Sequence, residues 1–167
     1  TDKNEDQVNL RRLSHTESLK TLGVFLAPDG NNSDEVKYLR SLAENYAVKL
    51  QKRYLSKKEV YMAFKQNISK SIQYPLPALT LTEAECTYIN APIVQASLQN
   101  LRISSKYPRS LVYASDSFNG LGFFNIYTLM GTGYVEFLLR HYDAPSITGK
   151  LLCTSLQQLQ LEMELQY

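Results

Sequence analysis

The distribution of apolar and polar positions divides the chain near residue 33. Before it lie two short extended runs, Val8–Leu13 and Leu19–Leu26, the second followed by Ala27-Pro28-Asp29-Gly30-Asn31-Asn32. Pro presets φ, and Gly or Asn accept positive φ, so this cluster is a turn, and the runs predict a short β-hairpin ending there.

From Ser33 the period is helical. Leu39, Leu42, Ala43, Tyr46, Leu50 and Tyr54 recur at three and four residues, with Lys37, Arg40, Glu44 and Lys52 off the stripe. That pattern predicts an amphipathic helix roughly 30 Å long. Asp34 and Glu35 suit its positive N-terminal end. Ser56-Lys57-Lys58-Glu59 then forms a capping box, flanked by Leu55 and Val60 as a hydrophobic staple. It opens a second helix to about Gln73, burying Val60, Tyr61, Phe64, Ile68 and Ile72, which Tyr74-Pro75-Leu76-Pro77 stops. Thr82-Glu83-Ala84-Glu85 is a second capping box, opening a third helix to about Leu98; Pro92 within it requires a kink or a restart.

A basic, Ser-rich connection runs from Arg102 to Arg109, followed by a short ordered piece at Leu111–Tyr113 and a loop at Asp116–Gly122. Asn125–His141 reads as a fourth helix weakened by Gly131 and Gly133. A last helix from Ser146 or Thr148 to the end buries Leu152, Leu156, Leu159 and Met163. The expected fold class is mainly α, about five helices with a small N-terminal β-hairpin. Residues 1–30 form the hairpin and 31–167 the helical domain.

Length and composition narrow this picture. At 167 residues and 44% apolar, folding buries roughly 70% of the extended surface, which argues against a disordered chain. A net charge of +2 excludes a histone-like polycation or an acidic tail. Cys86 and Cys153 are the two thiols of a chain too long to need a disulfide staple, which fits a reduced, intracellular protein. With no run of eighteen apolar residues and a polar, mostly acidic N-terminus, neither a membrane span nor a secretory leader is expected. A start on Thr1 suggests a sequence that begins inside a longer chain.

The total charge hides a division. Between Lys37 and Lys70 stand nine basic residues (Lys37, Arg40, Lys49, Lys52, Arg53, Lys57, Lys58, Lys65, Lys70) against two acidic ones, a net of +7. The remainder carries nine against fourteen, a net of −5. Lys57 and Lys58 occupy the first turn of a helix, where the macrodipole disfavours cations. A local rule broken beside a well-formed capping box points to function. With Lys49, Lys52 and Arg53 they put five cations within ten residues, an elbow able to straddle a phosphate backbone. The plain alternative is a solvated helix face. Arg102, Lys106, Tyr107 and Arg109 form a second, weaker basic patch.

Catalytic patterns are missing from the sequence. It has no zinc-spaced Cys/His set, no G-x-x-x-x-G-K-[ST] and no G-x-S-x-G. His15 sits in a Ser-His-Thr turn and His141 at a helix C-terminus, where a structural role suffices. An enzymatic reading requires His141 and Asp143 to share a pocket with Cys153 or a carboxylate.

The order of motifs carries a resemblance. Leu19-Lys20-Thr21-Leu22-Gly23-Val24-Phe25-Leu26-Ala27-Pro28-Asp29-Gly30 precedes the basic helix pair. Ile68-Ser69-Lys70-Ser71-Ile72-Gln73-Tyr74-Pro75-Leu76-Pro77-Ala78-Leu79 leads into Thr80-Leu81-Thr82-Glu83-Ala84-Glu85-Cys86, and Gly120-Leu121-Gly122-Phe123 follows. From about Leu19 to Leu161 this resembles the region downstream of the palm in reverse transcriptases of non-LTR (LINE-type) retrotransposons. The resemblance implies a helical thumb-like bundle and connection segment holding a primer-template duplex, RNA–DNA or DNA, through its backbone. Leu22 and Gly23 would belong to a primer-grip-like hairpin, and the Lys49 to Lys58 elbow to the surface facing nucleic acid.

The partners implied are that duplex and the palm and fingers of a parent polymerase, with no membrane. The sequence departs from the family in having no Asp-Asp pair. The parent polymerase would use Mg²⁺, whereas no cofactor and no catalysis are expected of this chain alone, because without that pair the metal ions have no site. Expected nucleic-acid contacts are Lys49, Lys52, Arg53, Lys57, Lys58 and Lys65, with Arg102, Lys106 and Arg109. The rival expectation is a helical interaction or self-association module without nucleic-acid binding, whose apolar stripes serve protein partners.

Overall fold

The computed structural model describes residues 14–52 and 55–163. The run Val8–Leu13 and the elbow residues Arg53 and Tyr54 lie outside them. The fold is mainly α with a small N-terminal hairpin, as the periodicity predicts. Strands β1 (Leu19–Thr21) and β2 (Val24–Leu26) pair antiparallel, Leu19 opposite Leu26 and Thr21 opposite Val24. The hairpin therefore forms within the second extended run rather than between two. Its turn is Leu22-Gly23, with φ of 51° and 92°, a two-residue turn whose twist matches that of the strands. The cluster at 27–32 leads instead into helix α1 (Ser33–Gln51) through two Asx turns: Asn31 N–H donates to Asp29 and Ser33 N–H to Asn31, both at 2.9 Å.

The hairpin is tied to the first turn of α1. Ser18 Oγ donates to Asp34 at 2.6 Å, and Phe25 N–H donates to Glu35 at 2.7 Å. Asp34 thus stands at the helix N-terminus as expected, but Glu35 does not serve the dipole from solvent. It is turned inward and buried, with Oε1 lacking a protein partner. Burial raises its pKa, opposed by the Phe25 N–H and by the charge of Lys20.

Helix α2 (Lys57–Ala63), a π-helical turn (Phe64–Ile68) and α3 (Ser69–Gln73) follow one another without leaving helical φ and ψ. Val60, Phe64, Ile68 and Ile72 are fully buried. A strict four-residue spacing drifts roughly 120° over three repeats of a 3.6-residue helix. The wider π turn takes up part of that drift and holds all four on the core face.

A 3₁₀ turn (Leu76–Ala78) reverses the chain into α4 (Glu83–Asn100), whose Thr82–Glu85 capping box is formed in full. Helix α1 packs most extensively against α4, and the two run parallel at a constant offset. Asn32 Nδ2 donates to the Thr80 carbonyl, Arg40 to the Tyr88 carbonyl and Gln51 to Gln99, each pair 48 residues apart. Helix α4 passes through Pro92 without restarting. Pro92 has no N–H, so the Tyr88 carbonyl loses its partner one turn on. The Arg40 guanidinium supplies it, lying also 4.3 Å from the centre of the Tyr88 ring.

After α5 (Arg109–Tyr113) and a 3₁₀ turn (Asp116–Phe118), the chain enters α6 (Ile126–His141). Phe123 and Phe124 pack on Phe64, ring centres 4.3 and 4.8 Å apart. A Cβ at Gly120 would lie 2.1 Å from the Ala114 carbonyl oxygen, so this loop closes only on glycine. Asn125 caps α6, and Ser146 caps α7 (Ile147–Glu162). One sequence expectation fails here. Leu159 of α7 and Met163 just beyond its end are exposed, Leu152 and Leu156 are half-buried, and Gly149 is the buried residue of that helix. Heptad-like spacing identifies an apolar stripe but supplies no surface to cover it. No helix among the described residues is long and apolar enough to cross a membrane.

Candidate nucleic-acid interface

Because α1 and α4 are parallel, their C-termini lie side by side, joined where Asn100 Nδ2 donates to the Leu50 carbonyl at 3.2 Å. Lys49 and Lys52 close α1, and Arg102 follows α4. Leu55 packs on the core and Ser56 opens α2, which begins the next helical segment with Lys57 and Lys58. These two lysines border a cleft of about 340 Å³ with Tyr61, Asp116 and Leu101, the residue that precedes Arg102. The geometry thus brings Lys49, Lys52, Lys57, Lys58 and Arg102 to one end of the bundle. All five are exposed. None forms an ion pair with a described carboxylate, whereas Lys37 pairs with Asp34 at 3.1 Å and Arg40 with Glu44 at 2.7 Å.

The capping box explains how cations are tolerated there. Glu59 Oε2 accepts from the Ser56 N–H at 2.8 Å and from Ser56 Oγ at 2.7 Å, while Glu59 N–H donates back to Ser56 Oγ. These bonds hold the Glu59 pKa below its ordinary value. The first turn keeps one carboxylate at the positive end of the dipole, and Lys57 and Lys58 project into solvent beside it.

Arg102 breaks a second local rule. Its φ is +57°; its N–H donates to the Gln99 carbonyl and that of Ile103 to Leu98. This is a Schellman termination of α4, with arginine at the position glycine favours. Four non-glycine residues among those described have positive φ: Leu22, Arg102, Asn119 and Asp143. Asn and Asp enter this region readily, which leaves Leu22 and Arg102 as the costly cases.

The other expected residues are dispersed. Lys65 Nζ lies 4.5 Å from the Tyr61 ring centre, and Tyr61 Oη donates to Asp116 at 2.8 Å. The Tyr61 hydroxyl, with Asp116 behind it, raises the Lys65 pKa, so this cation is partly engaged within the chain. Lys106 is exposed in the connection before α5. Arg109 borders a separate cleft with Glu83, Asn90 and Tyr113, toward the opposite end of α4. Leu22 and Gly23 rest on Tyr74, whose hydroxyl donates to the Leu22 carbonyl at 2.8 Å. That tip sits beyond α3, roughly 25 Å along the helical segment from Lys57. Arg53 falls outside the described residues.

Sequence reasoning missed two participants. Periodicity places Tyr61 on the buried face and Asp116 in a loop; the structure has Tyr61 half-buried with its hydroxyl on Asp116, and an aromatic one turn beyond the paired lysines is the signal for it. For catalysis the arrangement offers little. Cys86 is buried and its thiol pushed up to about 11, chiefly by desolvation. His141 borders a cavity with Glu136, but neither Asp143 nor Cys153 lines it. No group of described His, Cys, Asp and Glu side chains could hold a metal ion. No protein-family model, curated protein or solved structure matches the chain.

Proposed function

We propose that the chain binds a nucleic-acid duplex through its phosphate backbone, as the thumb-like and connection segment of a LINE-type reverse transcriptase. The observation that supports this reading is the convergence of Lys49, Lys52, Lys57, Lys58 and Arg102 on one end of the bundle without carboxylate partners. Contacts of this kind neutralise phosphates regardless of base sequence and position the duplex. The role is gripping rather than catalysis, in keeping with the missing Asp-Asp pair. The order of the Leu22-Gly23 turn, the basic elbow and the Pro75-Leu76-Pro77 reversal supports the polymerase assignment by resemblance.

If three of the cations neutralise phosphates, binding of a short RNA–DNA duplex has a salt slope of about −3 and weakens some tens-fold between about 50 and 200 mM salt. The Lys52→Glu, Lys57→Glu double variant loses most of that affinity and flattens the slope. A salt-independent wild type, or equal affinity in the double variant, would overturn the proposal.

A further inference from the structure

We infer that the cleft between α4, α5 and the start of α6 binds a small zwitterion, an α-amino acid whose side chain ends in a carboxamide. This does not depend on duplex binding, and it gives a role to Arg109, which stands apart from the basic elbow. The cleft holds about 300 Å³, at the small end of ligand pockets. Its floor is polar and neutral, and its mouth is charged.

The floor carries an unmet demand. Asn90 is 3% exposed. Its Nδ2 donates to the Phe124 carbonyl at 3.2 Å and to Tyr113 Oη at 3.4 Å, while its Oδ1 has no partner among the described residues. A carbonyl only accepts, so the amide nitrogen must face Phe124 and the oxygen cannot take its place. Buried acceptors are seldom left without a partner. Beside Asn90 in the cleft wall, half-buried Asn125 uses Oδ1 to cap α6, accepting from the Tyr127 N–H at 2.9 Å, and keeps Nδ2 to donate. Tyr113 Oη accepts from Asn90 and keeps its own proton to give. One acceptor beside two donors is the complement of a carboxamide, whose NH₂ donates and whose oxygen accepts. Cys86 closes the floor as a protonated thiol, pushed up to about 11 by desolvation, so charge recognition is confined to the mouth.

At the mouth, Glu83 and Arg109 are both exposed. The ion pairs among the described residues are Lys37 with Asp34 and Arg40 with Glu44, so neither Glu83 nor Arg109 is paired. Opposite charges held apart in one small cleft match the ammonium and carboxylate that an α-amino acid carries on a single carbon. A phosphate would meet Glu83 as a like charge, which disfavours a nucleotide. Along α4, Glu83 and Asn90 are separated by two helical turns, on the order of 10 Å. A five-carbon amino acid with a hydrogen bond at each end covers that span, which points to glutamine.

Titration of the full chain with L-glutamine, followed by calorimetry and by amide NMR shifts, tests this. Saturable one-to-one binding is expected. L-leucine, which has no side-chain donor for Asn90, and glutaramate, which lacks the ammonium, should each bind at least tenfold more weakly. Arg109→Gln should weaken L-glutamine at least tenfold with unchanged helical circular dichroism. Glu83→Gln should erase the preference for L-glutamine over glutaramate. The Lys52→Glu, Lys57→Glu double variant should bind L-glutamine as wild type does, which separates this cleft from the elbow. No saturation by about 50 mM L-glutamine overturns the inference. So do equal affinity for L-leucine, wild-type behaviour of both mouth variants, or tighter binding of guanosine monophosphate, which would assign the cleft to a nucleotide.

Discussion

Helices α1 and α4 are separated by more than thirty residues of intervening chain, yet they meet along their whole length. Helices α6 and α7 are neighbours in sequence, yet leave most of their large apolar side chains in solvent. On the first seam each feature has a counterpart across it: Leu39 and Ala43 are fully buried, and the carbonyl orphaned by Pro92 finds Arg40. On the second, apolar residues recur at helical spacing with no described residue covering them. Amphipathic periodicity states that a face wants cover; only a tertiary partner decides whether it is covered.

The largest test of that contrast is truncation. Leu39→Ala should cost about 2–5 kcal/mol as a cavity in the α1–α4 seam. Leu161→Ala, on the solvent side of α7, should stay within about 0.5 kcal/mol. Chemical denaturation of both variants at low protein concentration checks the pair; equal losses would erase the distinction. Arg40→Met removes the one described donor to the Tyr88 carbonyl while keeping an unbranched side chain, and should cost about 1–3 kcal/mol. Pro92→Ala in the same background restores the missing N–H and should recover much of that loss, which a double-mutant cycle measures.

A smaller change has opposite signs in its two readouts. Arg102→Gly relieves the left-handed conformation at the end of α4 and should raise stability by about 1 kcal/mol. If Arg102 faces a duplex backbone, the same variant should bind the RNA–DNA duplex more weakly. A variant that is stabilised and binds as well as wild type would remove Arg102 from the interface.

The smallest effect is in pH dependence. Burial raises the Glu35 pKa in the folded state above the ordinary 4.5. The folded form then binds more protons than the unfolded one, so this group's contribution falls as pH rises from about 4.5 through the folded pKa. Asp34, Glu59 and Glu85 have lowered pKa values and contribute in the other direction at lower pH. The Glu35 share is therefore the difference between wild type and Glu35→Gln measured from pH 4 to 8. A constant difference across that range would mean that the carboxyl titrates normally.

Local chemistry was the readable part of this sequence. Both capping boxes form as their spacing requires, and Val60, Phe64, Ile68 and Ile72 are the buried face of the second helical segment. Three features were not readable, each for a physical reason. The hairpin turn falls on Leu22-Gly23, which lacks the Asn-Gly or Asp-Gly signature. The charge of Glu35 suits the positive end of the helix, whereas its four-residue spacing to Leu39 places it on the core face, where the structure has it. Arg40 looked like one cation in a run, because its acceptor is set by a proline 52 positions on. The site divides similarly: the elbow lysines stood out through charge and a broken dipole rule, while their proximity to Arg102 follows from the parallel helix pair, which no local pattern encodes.

The constant offset of 48 residues between α1 and α4 has a kinetic consequence. Every contact on that seam closes a loop of nearly the same length, so no part of it forms much earlier than another by virtue of shorter closure. Much of the ordering entropy must be spent before the seam begins to repay it, and the capped segment from α2 to α3 has to turn the chain back first. Helices α6 and α7 are local elements joined by a short connection and can form early, presenting their uncovered leucines while the long seam is still open. During synthesis or refolding, the elements that assemble quickly are thus the ones best able to meet another chain, and the elements that define the monomer arrive later.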